Sequence, residues 1–125
     1  MQSSCSRPIW RLLALVIVAV LAGACASAGR QARESAQAGD WDTAVEYYRR
    51  ALEDAPDRAE YQIAFERAML NASRAHIAAG RTFEEQQELT VALQEYRAAS
   101  GFDPSNTEVG ARAAALERTI REQIE

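Results

Sequence analysis

The sequence predicts an all-α fold, and two observations carry that prediction. Apolar residues recur at helical spacing in successive stretches of the chain, and one of those stretches returns farther along with the same order of large and small residues. The first stretch runs from Gly39 to Pro56 and places Trp41, Ala44, Val45, Tyr48, Ala51, Leu52 and Ala55 on one face. Asp40 stands where an N-cap can accept from free amides of the first turn, and Pro56 cannot continue the helix. Small Ala44 and Ala51 lie between bulky Trp41 and Tyr48, a face shaped to receive another helix.

The recurrence runs from Leu89 to Pro104. Trp41 maps to Leu89, Ala44 to Ala92, Tyr48 to Tyr96, Ala51 to Ala99 and Pro56 to Pro104, all 48 residues apart. Between the copies, Asp57 to Ala72 is helical by pattern, with Tyr61, Ala64, Phe65, Ala68, Met69 and Ala72 on one face and Asp57/Glu60 spaced as a capping box. No breaker separates it from Ser73, so one long helix is expected from about Arg58 to about Glu85, roughly 40 Å in length. After Pro104, Ser105 and Glu108 form a second capping-box pattern. The stripe Val109, Ala113, Leu116, Ile120 and Ile124 then extends to the last residue.

Both copies resemble the second helix and terminal proline of the tetratricopeptide repeat. Carrying that family's first helix back places Ser73 to Gln86 before the second copy, with Gly80 and Phe83 at the family's glycine and aromatic positions. Before the first copy it places Gly29 to Ala38, where Ala32 and Ser35 replace those residues, so this helix is expected to be degenerate and frayed. The 48-residue offset exceeds the family's period of about 34 residues by a segment of about four turns. The resemblance implies a short α-solenoid of antiparallel helical hairpins: two units over 26–104, a long connecting helix, and a capping helix over 105–125. A further similarity is to the helical N-terminal part of bacterial secretins, which would make the chain an oligomerisation or assembly module of a secretion or pilus pore.

Residues 1–25 are laid out as an export signal: Arg7 and Arg11, an apolar run from Leu12 to Ala22, then small residues before Cys25. Leu21-Ala-Gly-Ala-Cys25 resembles the bacterial lipobox, with Ala22 where that motif most often has leucine. The resemblance implies cleavage, acylation of Cys25 and, with Ala26 rather than aspartate following, a periplasm-facing lipoprotein of the outer membrane rather than the inner. An uncleaved anchor and simple secretion are the alternatives, and all three deliver the body to the cell envelope or beyond it. Cys5 and Cys25 both leave the body without a thiol for a disulfide.

The basic residues are all arginine, and the formal net charge is −4. Without Arg7 and Arg11, 12 arginines face 18 acids, a balance that argues against nucleic-acid binding. His76 is the only histidine and falls where the family packs a large residue between helices; a metal site would need further nitrogen or sulfur ligands. Glu84, Glu85 and Glu88 read as a solvated face rather than an acid/base pair, and the glycines are isolated rather than grouped in a phosphate loop. No catalytic constellation, cofactor or metal is expected.

Mapped on the repeat, the concave positions are Arg30 and Arg33 in the first unit and Arg74, Ile77, Ala78 and Arg81 in the second. Arginines lining a groove suit acidic or carboxylate-ended peptides, since the guanidinium fork binds carboxylate bidentately. Tyr47 and Phe102 are expected to be exposed contact points. The function expected is a lipid-anchored scaffold that holds protein partners in the bacterial envelope.

Overall fold

The computed structural model describes residues 27–125; the leader and Cys25 lie outside them. Among the described residues the fold is all-α, with five helices: α1 (residues 27–37), α2 (Trp41–Asp54), α3 (Ala59–Glu85), α4 (Leu89–Phe102) and α5 (Thr107–Ile124). Each of α3, α4 and α5 packs on the helix before it, and Ala28 and Ala32 of α1 share a core with α2 and α3. No helix among the described residues is long and apolar enough to cross a membrane.

The 48-residue offset governs the backbone as well as the apolar pattern. Adding it to the bounds of α2 gives those of α4, and added to Ala59, where α3 begins, it gives Thr107, where α5 begins. Residue 37, the last of α1, maps to Glu85, the last of α3. The N-caps of α3 and α5, Arg58 and Asn106, are likewise equivalent, and so are the two described residues of positive φ, Gly39 at 77° and Gln87 at 62°. The repeating unit therefore has three helices, and α3 belongs to both copies: its first half ends one unit and its second half begins the next. The extra turns between the copies are the unit's third helix, and α5 is its second occurrence.

The two cores follow from this. Ala28, Ala32, Ala44, Val45, Tyr48, Ala51, Tyr61, Ala68 and Ala72 form one, and Ala92, Leu93, Tyr96, Ala99, Val109, Ala113 and Leu116 the other. Ala44, Ala51, Ala92 and Ala99 are fully buried, where a side chain ending at Cβ lets helices approach closely. Trp41 and Leu89 are half-buried at the start of their helices, and Pro56 and Pro104 are exposed in the turns that follow them.

Several local expectations are corrected. The Asp40 carboxylate does accept from the Thr43 amide at 3.2 Å, but neither capping box forms. Arg58 caps α3 without a side-chain bond, and Asn106, not Ser105, accepts from the Val109 amide at 3.3 Å. In both turns the residue after the proline is spent in the loop, so the cap falls one position later. Helix α1 is not frayed over the described residues, because Ala28 and Ala32 are buried beneath α2 and α3. Tyr47 and Phe102 are half-buried against the first core, and Ile124 is 81% exposed.

Candidate functional site

Two clefts open between the odd-numbered helices, each with a tyrosine of the intervening helix at its floor. The larger, about 500 Å³, lies between the second half of α3 and α5 over Tyr96; Ile77, Arg81 and Glu84 line one wall, and Val109, Ala111, Arg112 and Ala115 the other. The smaller, about 270 Å³, lies between α1 and the first half of α3 over Tyr48, and is lined by Arg33, Ala36, Gln37, Trp41, Ala64, Arg67 and Ala68. Arg33 and Arg81 are equivalent in the repeat, as are Tyr48 and Tyr96.

Tyr96 is set by its neighbours on α3. A Cβ on Gly80 would lie 2.9 Å from Tyr96 Cε1, so only glycine admits the ring at this distance. The Tyr96 hydroxyl donates to Glu84 Oε2 at 3.0 Å, and Arg112 Nε donates to the same oxygen at 3.2 Å while its Nη2 pairs with Oε1. Glu84 is therefore no solvated carboxylate: its side chain is 20% exposed and ties α4 to α5. Burial raises the Tyr96 pKa, against the opposing charge of Arg81 and with help from Glu85, so the phenol remains a donor.

The floor of the smaller cleft is aromatic. Tyr48 and Tyr61 have ring centroids 6.4 Å apart at 49°, and a Cβ on Gly29 would stand 2.3 Å from the Tyr61 hydroxyl oxygen. Arg33 closes the rim through Glu60 at 3.2 Å. The Tyr48 pKa is also raised, first by burial, with Arg33 opposing.

The five arginine-groove residues do not share one groove. Arg33 lines the smaller cleft, and Ile77 and Arg81 the larger. Arg30 and Arg74 line neither cleft; Arg30 pairs along its own helix with Glu34 at 3.9 Å, and Arg74 is exposed. The residues that sequence reasoning missed are Glu84 and Arg112, together with the Gly29–Tyr61 contact. The 48-residue offset does not point to them, since it pairs Glu84 with Ala36, Arg112 with Ala64, Gly29 with Ile77 and Tyr61 with Val109.

His76 joins the two halves. Its Nδ1 lies 2.6 Å from Glu95 on α4 and its Nε2 3.0 Å from Asp42 on α2, and its ring stacks on Phe102 at 5.5 Å and 12°. Burial pulls its pKa down, but the bonds to Glu95 and Asp42 outweigh burial and the net shift is upward. Among the described residues no hydroxyl or thiol is hydrogen-bonded to the ring, and no group of three or more histidine, cysteine or acidic residues is arranged to hold a metal ion.

The fold and its clefts define an all-α protein built from a duplicated three-helix unit. Comparison with known protein families and with curated proteins finds no match to this chain.

Proposed function

We propose that this chain is an exported, lipid-anchored scaffold of the bacterial cell envelope, built on tetratricopeptide-type repeats, that holds other proteins in its clefts. The observation that carries the reading is the pair of equivalent clefts, each with a tyrosine floor and an arginine on one wall, produced twice by one 48-residue unit. Repeat folds of this kind present extended surfaces for partners, and the shape of the cleft supplies the selectivity. Export and the anchor rest on the signal-like leader and on the small residues before Cys25. Protein partners, acidic or carboxylate-ended where they meet Arg33 and Arg81, fit this site, with no cofactor and no nucleic acid.

The test is site-specific photocrosslinking of the full chain in its native envelope, with the probe at Gln37 or Ala111 in the clefts and at Glu53, outside both, as the control. Discrete protein adducts from the first two positions and none from the third are expected. Absence of adducts, or the same adducts from all three positions, overturns the scaffold reading. For the anchor, labelled palmitate should enter the wild-type chain and not the Cys25→Ser variant.

A further inference from the structure

Helix α3 carries a stripe of which only one residue, Ile77, packs against a core. Ile63, Arg67, Leu70, Arg74, Ile77 and Arg81 follow one another at alternating steps of four and three residues. At 3.6 residues per turn they fall within a sector of about 80° and extend over about 27 Å. Aliphatic residues recur every seventh position, arginines recur every seventh position, and no acid enters the sector between Ile63 and Arg81. The stripe faces away from the buried positions Tyr61, Ala68 and Ala72, and the buried Ser73 and Gly80 flank it on the side packed against α4. It joins the two clefts, since Arg67 lines the smaller and Ile77 and Arg81 the larger.

Two features set it apart from an ordinary solvated face. Among the described residues the large apolar ones left exposed are Ile63 at 58%, Leu70 at 46% and Ile124 at 81%, and two of these three are on the stripe. Most arginines of the described residues are in ion pairs, at Arg30, Arg33, Arg49, Arg50, Arg58, Arg97, Arg112 and Arg121. Those that are in none are Arg67, Arg74, Arg81 and Arg118, and three of these four are on the stripe. In a chain of net charge −4, uncompensated positive charge is concentrated along a helix face that also exposes two aliphatic side chains. Each of these features alone is common on protein surfaces; here they coincide, in register, over five turns.

We infer that this face of α3 docks an acidic amphipathic helix of a partner protein. The inference rests on the scaffold reading above and names the chemistry of its partner. The seven-residue recurrence selects a helix, because two helices crossing at about 20° keep a seven-residue pattern in contact along their length. The partner's aliphatic residues meet Ile63, Leu70 and Ile77, and carboxylates flanking them meet Arg67, Arg74 and Arg81, which bind them as planar forks.

The test uses the full chain in a non-ionic detergent and fluorescence anisotropy of synthetic peptides of about 20 residues. One is a helix with Leu and Glu at the complementary heptad positions, a second has Lys in place of Glu, and a third is the acidic peptide broken by a central proline. The acidic helix is expected to bind at least about tenfold more tightly than either control, to weaken by about tenfold with Arg74→Glu or Leu70→Asp, and to weaken again between about 50 and about 500 mM salt. Both substitutions are at exposed positions, and Arg74→Gln, expected to fall between wild type and Arg74→Glu, serves if the reversal impairs folding. Equal binding of the acidic and basic peptides, or indifference to Arg74→Glu and Arg74→Gln, overturns the inference. So does equal binding of the proline-broken peptide, which would mean an extended ligand. Adducts at Gln37 and Ala111 that persist despite such a result leave the scaffold standing and reject only the helix; their absence rejects the scaffold itself.

Discussion

The two copies of the three-helix unit share a backbone and differ in what fills the space between their outer helices. In the first, Gly29 faces Tyr61, whose ring leans on Tyr48, and polar closure comes from the exposed Arg33–Glu60 pair and from Arg58, which donates to the Tyr61 hydroxyl at 3.3 Å. In the second, Ile77 and Val109 occupy the positions equivalent to Gly29 and Tyr61. The floor tyrosine is held instead by a carboxylate that also takes an arginine from α5. The larger cleft is the one with Val109 in place of Tyr61. One helical frame can thus be closed by an aromatic plug or by a polar tie, and the choice sets how much room is left for a ligand.

If the two solutions are interchangeable units, the pair from the second copy can be transplanted into the first. Gly29→Ile alone drives a branched side chain into the Tyr61 ring and is expected to lower stability by about 2–3 kcal/mol. Tyr61→Val alone leaves a void beside Tyr48 and costs about 2 kcal/mol. Together they should cost less than the sum by at least about 1 kcal/mol, because the clash and the void cancel. Chemical denaturation of the four proteins measures this, and strict additivity would show that the copies are not equivalent in packing.

The polar tie gives a smaller contrast. Tyr96→Phe removes a hydrogen bond to a carboxylate and orphans part of Glu84, an expected loss of about 1 kcal/mol. Tyr48→Phe removes a hydroxyl with no hydrogen bond among the described residues and should stay within about 0.5 kcal/mol of wild type. Equal losses would place the stabilisation in the ring and not in the tie.

Much of this frame was legible in the sequence. The bounds of α2, α3 and α4 follow from apolar period, Asp40 and Pro56, and these signals are local, fixed within one or two turns by caps and by proline. The register of Tyr61, Phe65, Ala68 and Ala72 was legible too, yet its recurrence as Val109, Ala113, Leu116 and Ile120 was hidden, since a tyrosine and a valine look unrelated until they are seen against glycine and isoleucine. The clefts were less legible. The resemblance to the tetratricopeptide repeat placed Arg30, Arg33, Arg74, Ile77 and Arg81 in one groove, whereas α3 is shared between units and divides the space in two. Glu84 could not be told from Glu85 by composition, because one position on a helix separates a bridging carboxylate from a solvated one.

His76 couples the halves that this comparison separates, and pH should uncouple them. Both ring nitrogens face carboxylates, Asp42 from α2 and Glu95 from α4, and only the imidazolium carries a proton on each. The folded-state pKa lies above the ordinary 6.5. The contribution is therefore complete below that value and is lost as pH rises through the higher folded-state value. Melting temperature followed from about pH 6 to about pH 9 should fall for the wild type relative to His76→Gln, and parallel curves would remove the histidine from the junction.

The smallest contrast lies in the turns. Gly39 and Gln87 hold the same left-handed position, φ 77° and 62°, but glycine adopts it freely whereas a side chain pays in steric strain. The Gln87 amide makes only a long contact to the Glu84 carbonyl, 3.4 Å, so little offsets that strain. Gln87→Gly should raise stability by up to about 1 kcal/mol, after allowance for the greater freedom glycine gives the unfolded chain. Gly39→Ala, with open space around its Cβ, should lower stability by a similar amount through backbone strain alone. Opposite signs at equivalent positions would show that the turn's backbone, not its surroundings, sets the preference; a loss at both would mean that the Gln87 side chain stabilises the second turn.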